Sequence, residues 1–288
     1  MIKILHVSDL HFGPPFLENV AAALRREAFE HDPDLIVASG DFTQSATAGE
    51  FAQARDFLRS LPPKPMATTP GNHDVPFLAP LRGIDPFGRY KEHLNPLLDE
   101  FLRVGDIWCA CPNSTSRWGS LLDGYVRNHQ LEKCRRFFAD SPEGALRIVV
   151  AHHHFVAPPD IEGRGAMRGA RRALDRFTEM GVDLILGGHK HRGYIGNSLD
   201  FYSGKDRRQG AIVVQCGTST SCRGRYREKE KNTYNEITHD REEVRIRHFM
   251  FFHDAGGFRP ISEHTFARGE LDTKEVKVEN KEVKVESK

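Results

Sequence analysis

The chain has 288 residues, enough for one large domain or two small ones, with 39% hydrophobic residues, 28% charged residues and a formal net charge of +1. That near-neutral balance leaves no global field to draw the protein to nucleic acid or to a membrane surface. No apolar run approaches the ~18 residues that span a bilayer, and the opening MIKILHVSDLHF lacks the pattern of a signal peptide.

Ile2–Val7 reads as a strand, and Glu18–Glu30 as a helix with Val20, Leu24 and Phe29 at helical spacing. Asp34–Ala38 is a buried-type strand closed by Ser39-Gly40-Asp41. Ala48–Ser60 is a helix with Phe51, Ala54, Phe57, Leu58 and Leu61 on one face, stopped by Pro62, Pro63 and Pro65. Met66–Thr69 is a short strand leading into Pro70-Gly71-Asn72-His73-Asp74. This alternation predicts an α/β core with mainly parallel strands. Farther on, Tyr90–Leu102 and Gln130–Ala139 read as helices, and Ile107–Cys111 and Leu146–Ala151 as strands. Arg171–Met180 is a helix closed by Gly181, before the strand Val182–Leu186. The last third is β-rich, with Ala211–Cys216, Tyr234–Thr238 and Val244–Phe252, which suggests a second sheet packed on the first. Residues 1–254 therefore read as one domain and 255–288 as a C-terminal extension. Residues 274–288 form a charged direct repeat, KEVKVEN then KEVKVES, of the composition expected of a disordered tail. Cysteines at 109, 111, 134, 216 and 222 are an odd count without a dense framework, which points to reduced thiols in a cytoplasmic protein.

Seven residues able to bind metal fall at the ends of predicted strands: Asp9, His11, Asp41, Asn72, His152, His189 and His191. They lie in the segments SDLH, SGDF, PGNHD, VVAHHH and GGHKH. The donors are carboxylate, imidazole and amide with no thiolate, a mix that suits a pair of borderline-hard divalent ions rather than a structural cysteine-zinc site. Asp9 and His11 are two apart, so on an extended segment both point to one side, and His189 and His191 repeat that spacing. Each pair alone is a weak signal, a turn carboxylate beside a surface histidine; the joint order is much stronger. Glycines before Asp41, Asn72 and His189 permit tight turns and close backbone approach.

In that order the segments resemble the calcineurin-like metallophosphoesterase family over about residues 1–250. The resemblance implies a four-layer αββα sandwich of two mixed sheets flanked by helices, with a dinuclear site at the strand ends. It implies one metal on Asp9, His11 and His191, the other on Asn72, His152 and His189, and Asp41 between them. His73 would stand beside the metals as a catalytic group. Two divalent or mixed-valence ions of manganese, iron, zinc or cobalt suit such nitrogen and oxygen donors. Two adjacent cations acidify a water and hold a phosphate at once, so the expected reaction is in-line attack by a metal-bridging hydroxide. His73 would then steady the phosphoryl charge or protonate the leaving alkoxide.

Three consecutive histidines at 152, 153 and 154 cannot all face the metals; His152 aligns with the ligand, His154 would point the same way toward substrate, and His153 reads as structural. Asp74 suits either ordering His73 or capping the next turn. Arg164 and Arg168, with Arg171 and Arg172, sit in a Gly-rich stretch that is either a solvated loop or a basic rim for an anionic substrate. Arg223, Arg225 and Arg227 carry the same two readings, Asn113 is a candidate to face the cleft, and Trp108, Trp118 and Tyr125 suit packing better than base stacking.

Within the family, the compact arrangement is similar to bacterial class III cyclic-nucleotide phosphodiesterases, which implies a small phosphodiester as substrate. Phosphomonoesters and nucleotide-lipid pyrophosphates are the alternatives, and a non-catalytic metal-binding scaffold is the competing class. The low net charge weakens a nuclease reading, and the resemblance leaves room for a homodimer.

Overall fold

Alternate residues of each strand fill different cores. In Ile2–Val7 (β1), Leu5 and Val7 enter one cluster and Ile4 another; in Leu35–Ala38 (β2), Ile36 and Ala38 part from Leu35 and Val37 in the same way. Strands buried on both faces need a layer on each side, and helices supply the outer ones. The structure, a computed structural model, describes residues 1–77, 81–116, 123–156, 165–200, 210–224, 229–240 and 242–268.

The helices are Glu18–His31 (α1), Ala48–Arg59 (α2), Leu81–Ile84 (α3), Gly88–His93 (α4), Asn128–Ala139 (α5) and Ala170–Glu179 (α6). The remaining strands are Met66–Thr68 (β3), Glu100–Val104 (β4), Ile107–Cys111 (β5), Leu146–Val150 (β6), Leu184–Gly187 (β7), Tyr194–Asn197 (β8), Ile212–Gln215 (β9), Thr233–His239 (β10), Glu243–Phe252 (β11) and Gly257–Ala267 (β12). They form two mixed six-stranded sheets, ordered β12-β11-β10-β1-β2-β3 and β4-β5-β6-β7-β9-β8. Val20 and Leu24 of α1 and Phe51 and Leu58 of α2 cover the first sheet. Leu131 and Phe138 of α5 and Leu174 and Phe177 of α6 cover the second. Between the sheets lie Val37, Cys109, Ile148, Leu186, Val214 and Ile246, so the layers run αββα. No described helix is long and apolar enough to cross a membrane.

Several expectations change. The helix expected over Tyr90–Leu102 ends at His93, because Pro96 cannot continue it. The chain then forms β4, which pairs antiparallel with β5 through a two-residue turn at Gly105 (φ 54°) and Asp106. Phe29 lies outside the buried stripe of α1: it is 55% exposed while Ala28, four residues after Leu24, is buried. The late strands do not build the second sheet; β10, β11 and β12 extend the first beyond β1, and only β9 joins the second. The edge strand β12 lies within the stretch read as a C-terminal extension, yet pairs with β11 from Glu243↔Ala267 to Phe252↔Gly257. The repeat at 274–288 and Trp118 lie outside the described residues. Trp108 packs in the outer core of the second sheet, with the Arg103 guanidinium 3.9 Å from its ring centre.

One buried polar chain links the first sheet to the edge of the site. His6 Nε2 meets Ser39 Oγ at 3.0 Å, His6 Nδ1 meets Asn235 Nδ2 at 3.3 Å, and His248 Nδ1 meets Asn235 Oδ1 at 2.6 Å. Burial lowers His6 to about 3 and His248 to about 4. The unfolded chain therefore takes up these protons first, near the ordinary histidine value of about 6.5. Stability is complete above that pH and falls as pH drops toward 4, by on the order of a few kcal/mol per histidine. Urea melts at pH 7.5 and pH 5 should show this loss, and His248→Asn should shrink it; an equal loss in the variant would contradict the assignment.

Candidate metal centre

Five strands deliver the candidate ligands to one edge of the sandwich. Asp9 follows β1, Asp41 follows β2, Asn72 follows β3, His152 follows β6, and His189 and His191 follow β7. β1, β2 and β3 are parallel neighbours in one sheet, and β6 and β7 in the other, so their C-terminal ends lie together. Asp9 N donates to Gly40 O at 3.0 Å and His11 N to Asp41 O at 3.0 Å, while Gly188 N donates to His152 O at 3.1 Å. Across the sheets, His189 N donates to Asp9 Oδ2 at 3.0 Å.

These segments are not extended, contrary to the reading from spacing. Asp9, His11, Asp41, His189 and His191 all hold positive φ, at 53°, 48°, 53°, 74° and 53°. Asp and His tolerate this region better than most residues, yet each such residue still carries strain of order 1–3 kcal/mol. The turns, not strand alternation, aim the side chains. They also explain why His189 and His191 part company, one toward Asn72 and the other toward Asp9.

Gly188 shows how closely the two sheets approach. A Cβ there would collide with Ser8 Oγ and Asp9 Oδ2. Gly188→Ala should therefore displace Asp9 and weaken metal binding by about 10–100-fold, the cost usual for disturbing a ligand's support. Metal titration of the variant checks this, and unchanged affinity would contradict it.

The side chains gather in two adjoining groups. In the first, His191 Nε2 lies 3.2 Å from Asp9 Oδ1 and 3.1 Å from His11 Nε2, and His11 Nε2 lies 3.8 Å from Asp9 Oδ1. Asp9, His11, Asp41 and His191 place ligand atoms within 4.8 Å of one another, and all four are buried. In the second, Asn72 Oδ1 lies 2.9 Å from His189 Nδ1 and 3.2 Å from His152 Nε2. One atom, Asp41 Oδ2, faces both groups, at 3.7 Å from His11 Nε2 and 3.4 Å from His152 Nε2.

The donor set fits cations. Asp9 Oδ1 is buried without a hydrogen-bond partner, and such an atom calls for an explanation. His152 Nδ1 donates to Ser39 O at 2.9 Å, and His191 Nδ1 donates to Arg223 O at 2.7 Å. Carbonyl partners fix those tautomers and leave Nε2 to face the centre when the rings are neutral. Burial works against charge on Asp9 and Asp41, yet His191 beside the first and His152 beside the second hold both carboxyls below the ordinary carboxylate value. Burial holds His11 and His189 well below the ordinary histidine value. It acts on His152 too, but Asp41 and Asp9 overcome it and draw that ring up to about 9. Ionised carboxylates facing imidazole nitrogens are what a divalent transition metal selects.

His73 stands beside this cluster. Its N–H donates to Asp41 Oδ1 at 2.7 Å, its Nδ1 donates to Gln44 O at 2.8 Å, and its ring meets His11 edge-on at 4.8 Å. Asp74 neither binds the His73 ring nor caps a later turn. Its carboxylate accepts from Gly71 N at 2.8 Å, Thr43 N at 2.9 Å and Phe42 N at 3.3 Å, tying the Asn72 turn to the Asp41 turn. Burial and nearby Asp41 push that carboxyl up to about 7 against those amides.

His153 Nδ1 lies 2.9 Å from Ser114 Oγ, and its ring packs 4.6 Å from that of His189. His154 is 3% exposed, donates from Nε2 to Gly165 O at 3.0 Å and stacks on His189 at 5.6 Å. Arg168 is exposed, with its guanidinium 5.7 Å from the Tyr125 ring centre; Arg172 lies over the same ring at 5.0 Å and donates to Val126 O at 3.0 Å. Asn113 turns inward, accepting from Thr115 N through Oδ1 at 2.8 Å. Arg164, Arg225 and Arg227 lie outside the described residues. Gln44 was not among the sequence candidates, and nothing local separates Arg223 from Arg225 and Arg227.

The sequence model of the calcineurin-like phosphoesterase family matches residues 2–193. Over 208 residues the chain is 26% identical to the 3′,5′-cyclic adenosine monophosphate phosphodiesterase CpdA of Escherichia coli K12, covering 66% of this chain and 70% of that protein. Purple acid phosphatase PPD1 from yellow lupin seeds superposes with a TM-score of 0.68 at 15% identity, over 93% of this chain and 54% of the lupin chain, so this chain spans about half of that enzyme. A dimetal phosphatase from Danio rerio superposes with a TM-score of 0.62 at 11% identity, covering 92% of this chain and 98% of the other. At such identities the two structures speak for the fold alone.

Proposed function

The chain belongs to the calcineurin-like phosphoesterase family and is a metal-dependent phosphoester hydrolase, and we propose that its substrates are small phosphodiesters of the cyclic-nucleotide kind. The observation that carries the reading is Asp41 Oδ2, one carboxylate oxygen facing His11 Nε2 and His152 Nε2 at 3.7 and 3.4 Å. Asp9, His11 and His191 would hold one ion, Asn72, His152 and His189 the other, and Asp41 both. When bound, two such ions supply an acidified water and positive charge for the phosphoryl oxygens. Similarity to the cyclic AMP phosphodiesterase supports the diester class.

The chain's own residues prepare the rest. The carbonyls of Ser39 and Arg223 orient His152 and His191. Asn72 contributes a neutral oxygen, so only Asp9 and Asp41 bring negative charge and the centre stays attractive to phosphate. His73 is held by Asp41 through its main-chain amide and by Gln44 O through Nδ1, and its Nε2 edge would act on the leaving group or a phosphoryl oxygen.

Turnover of bis-p-nitrophenyl phosphate and p-nitrophenyl phosphate with Mn²⁺ tests the class, followed by cyclic AMP, 2′,3′-cyclic nucleotides and single-stranded DNA. A higher kcat/KM for the diester, with a cyclic nucleotide among the substrates, is the expected result. A monoester preference would overturn the diester assignment, and no turnover with both metals bound would favour a scaffold.

A further inference from the structure

Residues 216–223 lie beyond the segment matched by the family model, yet they clasp the back of the metal centre. Ser219 N donates to Ser8 O at 3.0 Å, Thr218 Oγ1 to Asp9 O at 2.7 Å and Thr220 Oγ1 to Leu10 O at 2.8 Å. Cys222 N donates to Pro15 O at 2.9 Å, and Asn232 Nδ2 to Ser221 O at 2.8 Å. The hydroxyl-bearing residues 218–221 are all buried. These bonds satisfy the strap's hydroxyls and brace the strained Asp9–His11 turn.

Arg223 emerges at the end of this strap and serves the centre twice. Its carbonyl accepts from His191 Nδ1 at 2.7 Å. Its guanidinium Nη1 lies 2.6 Å from Gln44 Oε1 and 3.2 Å from His73 Nε2, while the Gln44 carbonyl holds the other nitrogen of the His73 ring. The His73 Nε2 edge that would meet the phosphoryl group is therefore already next to a fixed cation. Arginine offers five donors in a planar fork that matches phosphate oxygens. With Gln44 fixing one nitrogen, a phosphoryl oxygen placed against His73 falls within reach of the same fork.

We propose that Arg223 is a substrate-binding and positioning residue: its guanidinium binds the phosphoryl group alongside His73 and holds that ring in place. This rests on the phosphoester reading, extending it from the metal ligands to a protein cation that senses the phosphate itself. The carbonyl that supports His191 belongs to the main chain, so side-chain substitution separates the phosphate role from the metal role.

The test compares the metal-loaded wild type with Arg223→Ala and Arg223→Lys. Metal content is measured directly, and inorganic phosphate is titrated by calorimetry, which needs no turnover. Arg223→Ala should keep the wild-type metal content, bind phosphate about 10–100-fold more weakly, as expected for losing a charged hydrogen bond, and lose kcat/KM for bis-p-nitrophenyl phosphate to a similar extent. Arg223→Lys should recover part of the phosphate affinity, and millimolar guanidinium added to Arg223→Ala should restore part of the turnover. Unchanged phosphate affinity in Arg223→Ala overturns the proposal, and so does loss of the metals, which would make the side chain a structural support. If the wild type hydrolyses no phosphoester, the functional reading fails, while the phosphate titration still decides the role of Arg223.

Discussion

Asp41→Asn will remove nearly all turnover and lower the metal content below two ions per chain. The carboxylate sits at the junction of both ligand groups, with Oδ2 facing His11 and His152 and Oδ1 accepting the His73 amide. An asparagine keeps the shape and can still accept from that amide, so the fold should survive. It cannot offer an anionic oxygen to two cations. Cation charge stabilisation is worth several kcal/mol in the transition state, and each 1.36 kcal/mol is tenfold in rate, so kcat/KM should drop by about 10³-fold or more. Metal analysis and steady-state kinetics on one preparation check both halves. A variant that kept two ions and wild-type turnover would mean that Asp41 does not join the metals.

The second large effect separates chemistry from metal binding. His73→Ala should lower kcat by about 10²–10⁴-fold, the range for removing a positioned acid or base, while both ions stay bound. The expectation follows from geometry: the His73 ring packs edge-on against His11, yet its nitrogens face Gln44 and Arg223 rather than the ligand groups. The Asp41 contact runs through the main-chain amide and survives the substitution. Unchanged kcat with both metals present would remove His73 from the reaction, and loss of a metal would make it a structural neighbour of the site.

The parts of this site that could be read in the sequence are local. An apolar strand followed by Gly-Asp, Gly-Asn-His-Asp or Gly-His-Lys-His carries its chemistry within a few residues, and the structure brings those segments to one edge. The same locality misled where tertiary contacts decide. Asp9 and His11 read as extended because their spacing is two, but they are turn residues at positive φ, held from behind by a strap more than 200 residues away. The β4–β5 hairpin hid behind a helical pattern that runs into Pro96. The partners of β10, β11 and β12 depend on which sheet edge lies open beside β1, which no local periodicity records. Arg223 could not be told from Arg225 and Arg227 because only the folded strap aims it at His73.

The central claim is a pair of metal ions joined by Asp41 and used for phosphoester hydrolysis. Its most direct test is metal content measured alongside turnover of bis-p-nitrophenyl phosphate, in protein stripped by a chelator and reloaded stepwise with Mn²⁺. The account predicts no turnover in the stripped protein, saturation at two ions per chain, and activity that returns as the second ion binds. Full activity with one ion or none would contradict it.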